Sequence, residues 1–121
     1  MPAKRPARSH ESASPRLRSA REAVLSDTAN ALVDDVRTAI CEPTRTQIVR
    51  VLSAGPLSVG ELAAILGRSK SATSQHLRVL RQGSMVEAHR RGRAIIYRLR
   101  SDPMVDLTVQ VLNRAANTAA A

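Results

Sequence analysis

The sequence predicts a mainly helical α+β fold in which five helices lead into a two-stranded β-hairpin and a final helix, the order α-α-α-α-α-β-β-α. Three observations carry that expectation. Apolar residues recur at helical spacing from about residue 15 to residue 82, punctuated by capping side chains, prolines and glycines. The period then changes to two across residues 85–99, on either side of a glycine. A helical apolar pattern resumes behind Asp102 and Pro103.

Residues 1–14 hold no apolar run and read as a flexible basic arm. Ser14 followed by Pro15 is an N-cap with proline at the first helical position, and Leu17, Val24, Leu25, Leu32 and Val33 extend that helix through about residue 33. Asp34 and Asp35 are placed to cap a short second helix carrying Val36, Ala39 and Ile40. Pro43 opens the third, with a stripe of Ile48, Val49, Val51 and Leu52, and Gly55 with Pro56 closes it. Ser58 and Glu61 then have the spacing of a capping box, with Leu57 and Leu62 at the hydrophobic-staple positions of a helix ending at Gly67. Ser69 caps a fifth helix that runs to about Gln82 and stops at Gly83. Its apolar members Ala72, Leu77 and Leu80 leave Lys70, Ser71, Thr73, Ser74, Gln75, Arg78 and Arg81 on the outer side.

Residues 85–90 and 93–99 read as strands joined by Arg91 and Gly92. That turn sets Ala88 opposite Ile95, Val86 opposite Tyr97, and Arg90 opposite Arg93. Two facing arginines are destabilising unless an anion lies between them. In the last helix Met104, Val105, Leu107, Val109, Val111 and Leu112 cover most of the circumference, leaving Asp106, Gln110, Asn113 and Arg114 as a narrow polar stripe. A helix this apolar needs cover on two sides. A second copy of the chain supplies the outer cover, so a homodimer is expected through the first and last helices, at Leu17, Val24, Leu25, Met104, Leu107, Val111 and Leu112. The folded domain is expected over residues 15–114, with residues 115–121 as a flexible tail.

The 121 residues suit one domain, and with no Phe, no Trp and Tyr97 alone the core must be built from Leu, Val, Ile and Ala. The net charge of +9 is unevenly placed: residues 68–100 carry nine cations against Glu87 alone. Such concentration suits a polyanion, because every neutralised phosphate releases condensed counterions. No stretch approaches the roughly 18 apolar residues of a membrane span, and the N-terminus lacks a secretory apolar core, so the cytoplasm is the expected compartment. The basic block holds no amphipathic helix with bulky aromatics, which argues against an anionic membrane as its partner.

Helix, tight turn, helix and basic hairpin together make the plan of a winged helix-turn-helix, whose second helix fits the DNA major groove, about 12 Å wide. Gln75 suits a bidentate contact to adenine and Arg78 a guanine edge. Ser71, Thr73 and Ser74 are short enough for close approach, with Arg68, Lys70 and His76 beside them. Arg90, Arg91 and Arg93 offer the hairpin tip to phosphates or the minor groove.

On four motifs in order, PTR opening a helix, LSVGELA, SQHLRVLRQGSMV and RRGRAIIYRL, residues 42–99 resemble the ArsR/SmtB family of bacterial transcription regulators. With flanking helices the likeness covers roughly residues 20–114. The resemblance implies a dimeric repressor on double-stranded DNA, bound to an inverted-repeat operator that overlaps a promoter and released by a metal ion or another signal. Many metal-sensing members carry cysteines at the positions of Ser58 and Gly60, and neither residue is a soft ligand. Others use Asp and His on the terminal helix, where this chain has Asp102 and Asp106 but no histidine; one turn apart, these read as helix-start charges. The family's usual metal-site ligands are thus absent, no cofactor is assigned, and the effector is left open.

The lone cysteine, Cys41, excludes an intrachain disulfide. It ends the stripe of Val36 and Ile40, so a small buried core residue is the first reading; the second is a thiol sensor, or a thiolate axial ligand or metal ligand shared between subunits. His89 and His10 read as solvated. An enzyme is not expected, since the chain has no phosphate-cradling glycine loop and no motif-supported nucleophile–base pair. RNA recognition lacks its stacking aromatics. The competing class is a winged-helix protein-interaction module that does not read DNA sequence.

Overall fold

The computed structural model describes residues 14–120, so the basic arm expected over residues 1–14 lies outside the described residues except for Ser14. The chain divides into two compact units, Met1–Ala31 and Leu32–Ala121. Its elements in order are α1 (Pro15–Glu22), α2 (Asp27–Ile40), α3 (Pro43–Leu52), β1 (Leu57–Ser58), α4 (Val59–Leu66), α5 (Lys70–Gln82), β2 (Val86–Arg91), β3 (Ala94–Leu99) and α6 (Pro103–Ala120).

The N-terminal helices depart from expectation. Ser14 caps α1 as the sequence predicts, accepting from the Leu17 N–H, but the helix stops at Glu22 instead of continuing to residue 33. A new cap causes the break: the Ser26 hydroxyl accepts from the Ala29 N–H at 3.1 Å, and Asp27 puts a carboxylate in the first turn of α2. Asp34 and Asp35 are not caps. They lie inside α2, where Asp34 pairs with Arg37 one turn on.

In the second unit α3 starts at Pro43, with Glu42 as N-cap accepting from the Arg45 N–H at 2.9 Å. The capping box of α4 is complete: the Ser58 hydroxyl accepts from Glu61 N–H at 3.2 Å and the Glu61 carboxylate from Ser58 N–H at 2.9 Å. Gly67 ends α4 at φ +64°, a left-handed conformation that glycine adopts without steric cost.

Ser58 is also half of β1, a strand too short to show a period. β1 pairs antiparallel with β3 (Leu57 with Tyr97, Ser58 with Ile96), giving a three-stranded sheet in the order β1-β3-β2. The hairpin register is shifted from the expected one. Arg91 pairs with Ala94 and Arg90 with Ile95, so the turn residues are Gly92 and Arg93 and the two arginines do not face each other. Gly92 has φ +63° and Arg93 does not, the pattern of a type II′ turn, which puts glycine first. One face of the hairpin then carries Val86, Ala88 and Arg90 opposite Leu99, Tyr97 and Ile95.

The core collects Ala39, Ile48, Val49, Leu52, Leu62, Leu77, Leu80, Met85, Val86 and Val105, with Tyr97, Leu99, Val109 and Leu112 packed against it. Small aliphatic side chains fill it, as the composition requires. Asp102 caps α6 through the Met104 N–H at 2.8 Å. The helix buries Val105 and Thr108 and runs on to Ala120, so residues 115–120 are helical where a flexible tail was expected.

Candidate nucleic-acid interface

Helix α5 presents its faces by simple periodicity. Thr73, Leu77 and Leu80 recur at i, i+4 and i+7, and all three are fully buried. Thr73 therefore belongs to the core: its hydroxyl donates to the Ser69 carbonyl at 2.8 Å, and it cannot serve on the DNA-facing side as expected. Ala72, expected inside, is exposed, because it lies about 140° around the helix from Leu77 while Thr73 lies about 40° away. Lys70, Ser71, Ser74, Gln75, Arg78 and Arg81 are exposed, as is Arg68 in the turn before the helix.

His76 is half-buried beside the buried stripe. Its Nδ1 stands 3.7 Å from the Glu42 carboxylate, across from the start of α3, which gives it a structural post and takes it off the outer face. Glu42 itself has its carboxyl held below the ordinary value, first by the hydrogen bond from the Arg45 backbone and also by the neighbouring His76.

The hairpin tip exposes Arg90, Arg91 and Arg93. On its far face Arg98 is neutralised. There Glu87 accepts from Arg98 Nε at 2.7 Å and lies 3.0 Å from His89 Nε2, and these hydrogen bonds, that of His89 foremost, lower the Glu87 carboxyl. Its near face does not carry a carboxylate. Ser74, Gln75, Arg78 and Arg81 of α5 line one concavity together with Tyr97 of β3. The sequence puts Arg81 on the outer side of α5 but does not show its neighbour Tyr97, which reaches α5 only through the sheet.

The positions that resemble metal-ligating cysteines do not fit a metal ion. The Ser58 hydroxyl is committed to the capping box, and Gly60 has no side chain. The Lys70 side chain lies over Gly60 instead: a Cβ placed there would stand 3.5 Å from its Cε and 3.8 Å from its Nζ.

Cys41 is exposed instead of buried. Ala39 holds the inward position at the end of α2, and two residues further on is about 200° around the helix. The Cys41 thiol donates to the Thr38 carbonyl at 3.7 Å and accepts from Arg45 Nη2 at 3.4 Å. Of the residues expected in a dimer face, Leu17, Val24, Leu25, Leu107 and Val111 are exposed, while Met104 and Leu112 are half-buried.

Residues 42–88 match the family model described as "Bacterial regulatory protein, arsR family". The chain is 33% identical over 81 residues to the transcriptional repressor SdpR of Bacillus subtilis, spanning 67% of this chain and 90% of that protein. Its fold superposes on HlyU from Vibrio cholerae with a TM-score of 0.68 at 32% identity, over 74% of this chain and 97% of that one. It also superposes on the homodimeric winged helix-turn-helix DNA-binding domain of Mb0332 from Mycobacterium bovis, with a TM-score of 0.66 at 30% identity, over 80% and 93% of the two chains. With this fold, an outward polar helix beside a cationic hairpin, and these relatives, the chain belongs to the arsR family of bacterial regulatory proteins and is a winged helix-turn-helix DNA-binding transcriptional regulator.

Proposed function

We propose that the protein is a homodimeric repressor that reads an inverted-repeat operator in the cytoplasm and is released by a signal other than a metal bound at Ser58 and Gly60. One observation carries the reading: the exposed side of α5 holds Ser71, Ser74, Gln75 and Arg78 without a carboxylate among them, next to a hairpin tip of three arginines. Ser71, Ser74 and Gln75 read base edges in the major groove, with Arg78 at its rim. Arg68, Lys70, Arg90, Arg91 and Arg93 hold flanking phosphates. The exposed Leu107 and Val111, with Met104 and Leu112, contribute to contact between subunits, as do, separately, the exposed Leu17, Val24 and Leu25 of the first unit, and the homodimeric Mb0332 domain supports a homodimer. Its work is binding, not catalysis.

Selection of bound duplexes from random DNA, followed by binding measurements on the recovered sequence and on random DNA, tests this. Gln75→Ala should cost about 1–3 kcal/mol on the selected duplex and little on random DNA, because a bidentate base contact is lost. Arg91→Ala should weaken both alike and lower the salt slope by about 1. Equal affinity of the wild-type protein for every sequence would favour a protein-interaction module instead.

A further inference from the structure

Cations on this protein fall into two groups. Arg37 pairs with Asp34, Arg98 pairs with Glu87, and Arg50 donates to Asn113. Arg78 and Arg81 have no ion-pair partner among the described residues, although each is on an ordered helix. They stand one turn apart on α5 and share the concavity with Tyr97, the sole aromatic residue of the chain. Tyr97 is held on the central strand of the sheet, paired with Ala88 on one side and Leu57 on the other. The next residue, Arg98, points to the opposite face, where Glu87 neutralises it. The cleft between α5 and the hairpin is thus cationic and free of carboxylates, lined on the sheet side by the half-buried Tyr97.

We propose that this cleft seats one DNA phosphodiester, held between the Arg78 and Arg81 guanidinium groups and the Tyr97 hydroxyl. The proposal rests on the operator reading above and adds two residues to it, Arg81 and Tyr97, whose task is to join the helix and the hairpin to the same point on the backbone. Guanidinium forks match the paired oxygens of a phosphodiester, and a phenolic O–H donates to a third direction. One guanidinium group can pair with a guanine edge, but two in one cleft without a carboxylate are neutralised by a phosphodiester and not by a base. The phosphate in the seat fixes how deep Gln75 reaches into the groove beside it.

A scan of single methylphosphonate substitutions along the selected duplex tests the seat, since each removes one backbone charge. Wild-type protein should lose about tenfold or more in affinity at one phosphate per half-site, the scale of a charge-assisted hydrogen bond. Arg81→Gln and Tyr97→Phe should each bind more weakly on unmodified DNA and be much less sensitive at that same phosphate. The change of salt from about 50 to 200 mM should weaken Arg81→Gln roughly threefold less than wild type, as expected for one phosphate contact fewer. Both substitutions spare the fold, Arg81 being exposed and phenylalanine keeping the ring. A wild-type profile in either variant, or loss of sensitivity at two different phosphates, overturns the seat while the operator reading stands. Failure to recover any preferred duplex with wild-type protein overturns both.

Discussion

At the scale of single residues, Glu87 shows how charge is disposed on the hairpin. His89 and Arg98 converge on its carboxylate from the same face of the sheet, Arg98 from the directly opposing position and His89 from two residues along β2. Its carboxyl is held below the ordinary value, so the ionised form is favoured by folding. A group lowered in this way adds stability that is complete above the ordinary carboxylate range and is lost as pH falls through the lowered value. Thermal melts of wild type and Glu87→Gln across pH should therefore differ most near neutrality and converge in acid. A constant difference at all pH values would show that packing, not ionisation, is at work. The same scale explains a misreading. Thr73 is polar and was expected outside, yet its place one turn before Leu77 decides its burial, and the Ser69 carbonyl satisfies its hydroxyl.

At the scale of elements, the caps carry the clearest sequence signal and the joins between elements the weakest. Ser58 with Glu61, Ser69, and Asp102 act within four residues, so their roles could be read directly. Ser58→Ala should cost about 1 kcal/mol of stability, measured by urea denaturation, with a range of roughly 0.5–2. A change well below that range would mean that β1 pairing, not the cap, holds this turn. The break at Ser26 is not legible in the sequence because the apolar spacing from Leu17 to Val33 suits one long helix as well as two. The hairpin turn was shifted by one residue because a glycine serves at either central position, in type I′ or II′ geometry. Strand β1 has only two residues and a distant partner, and local periodicity cannot reveal such a pairing.

At the scale of the whole molecule, the missing large aromatics set the terms. A core of small aliphatic side chains leaves Leu107 54% and Val111 60% exposed on α6, one helical turn apart. A dimer through this face predicts that Leu107→Glu with Val111→Glu yields a folded monomer. Analytical ultracentrifugation would show halved mass, circular dichroism would show retained helix, and affinity for the selected duplex would fall by at least tenfold, since one reading head is lost from each complex. A double variant that stays dimeric would place the interface elsewhere. The helices from Pro43 onward, the hairpin, most of the core and the cationic block were legible in the sequence, because each depends on composition and local period; β1 was not. Nor was the meeting of Arg81 with Tyr97, because only the sheet brings them together.

Ser58 holds two posts at once. Its backbone pairs with Ile96 in the sheet, and its hydroxyl caps α4. Tilting the hairpin away from α4 would tear either the strand pairing or the cap, so the two travel as one stiff body. Misfit along a bound duplex must then be absorbed by curvature of the DNA or by a pivot between subunits, and not by a loose appendage.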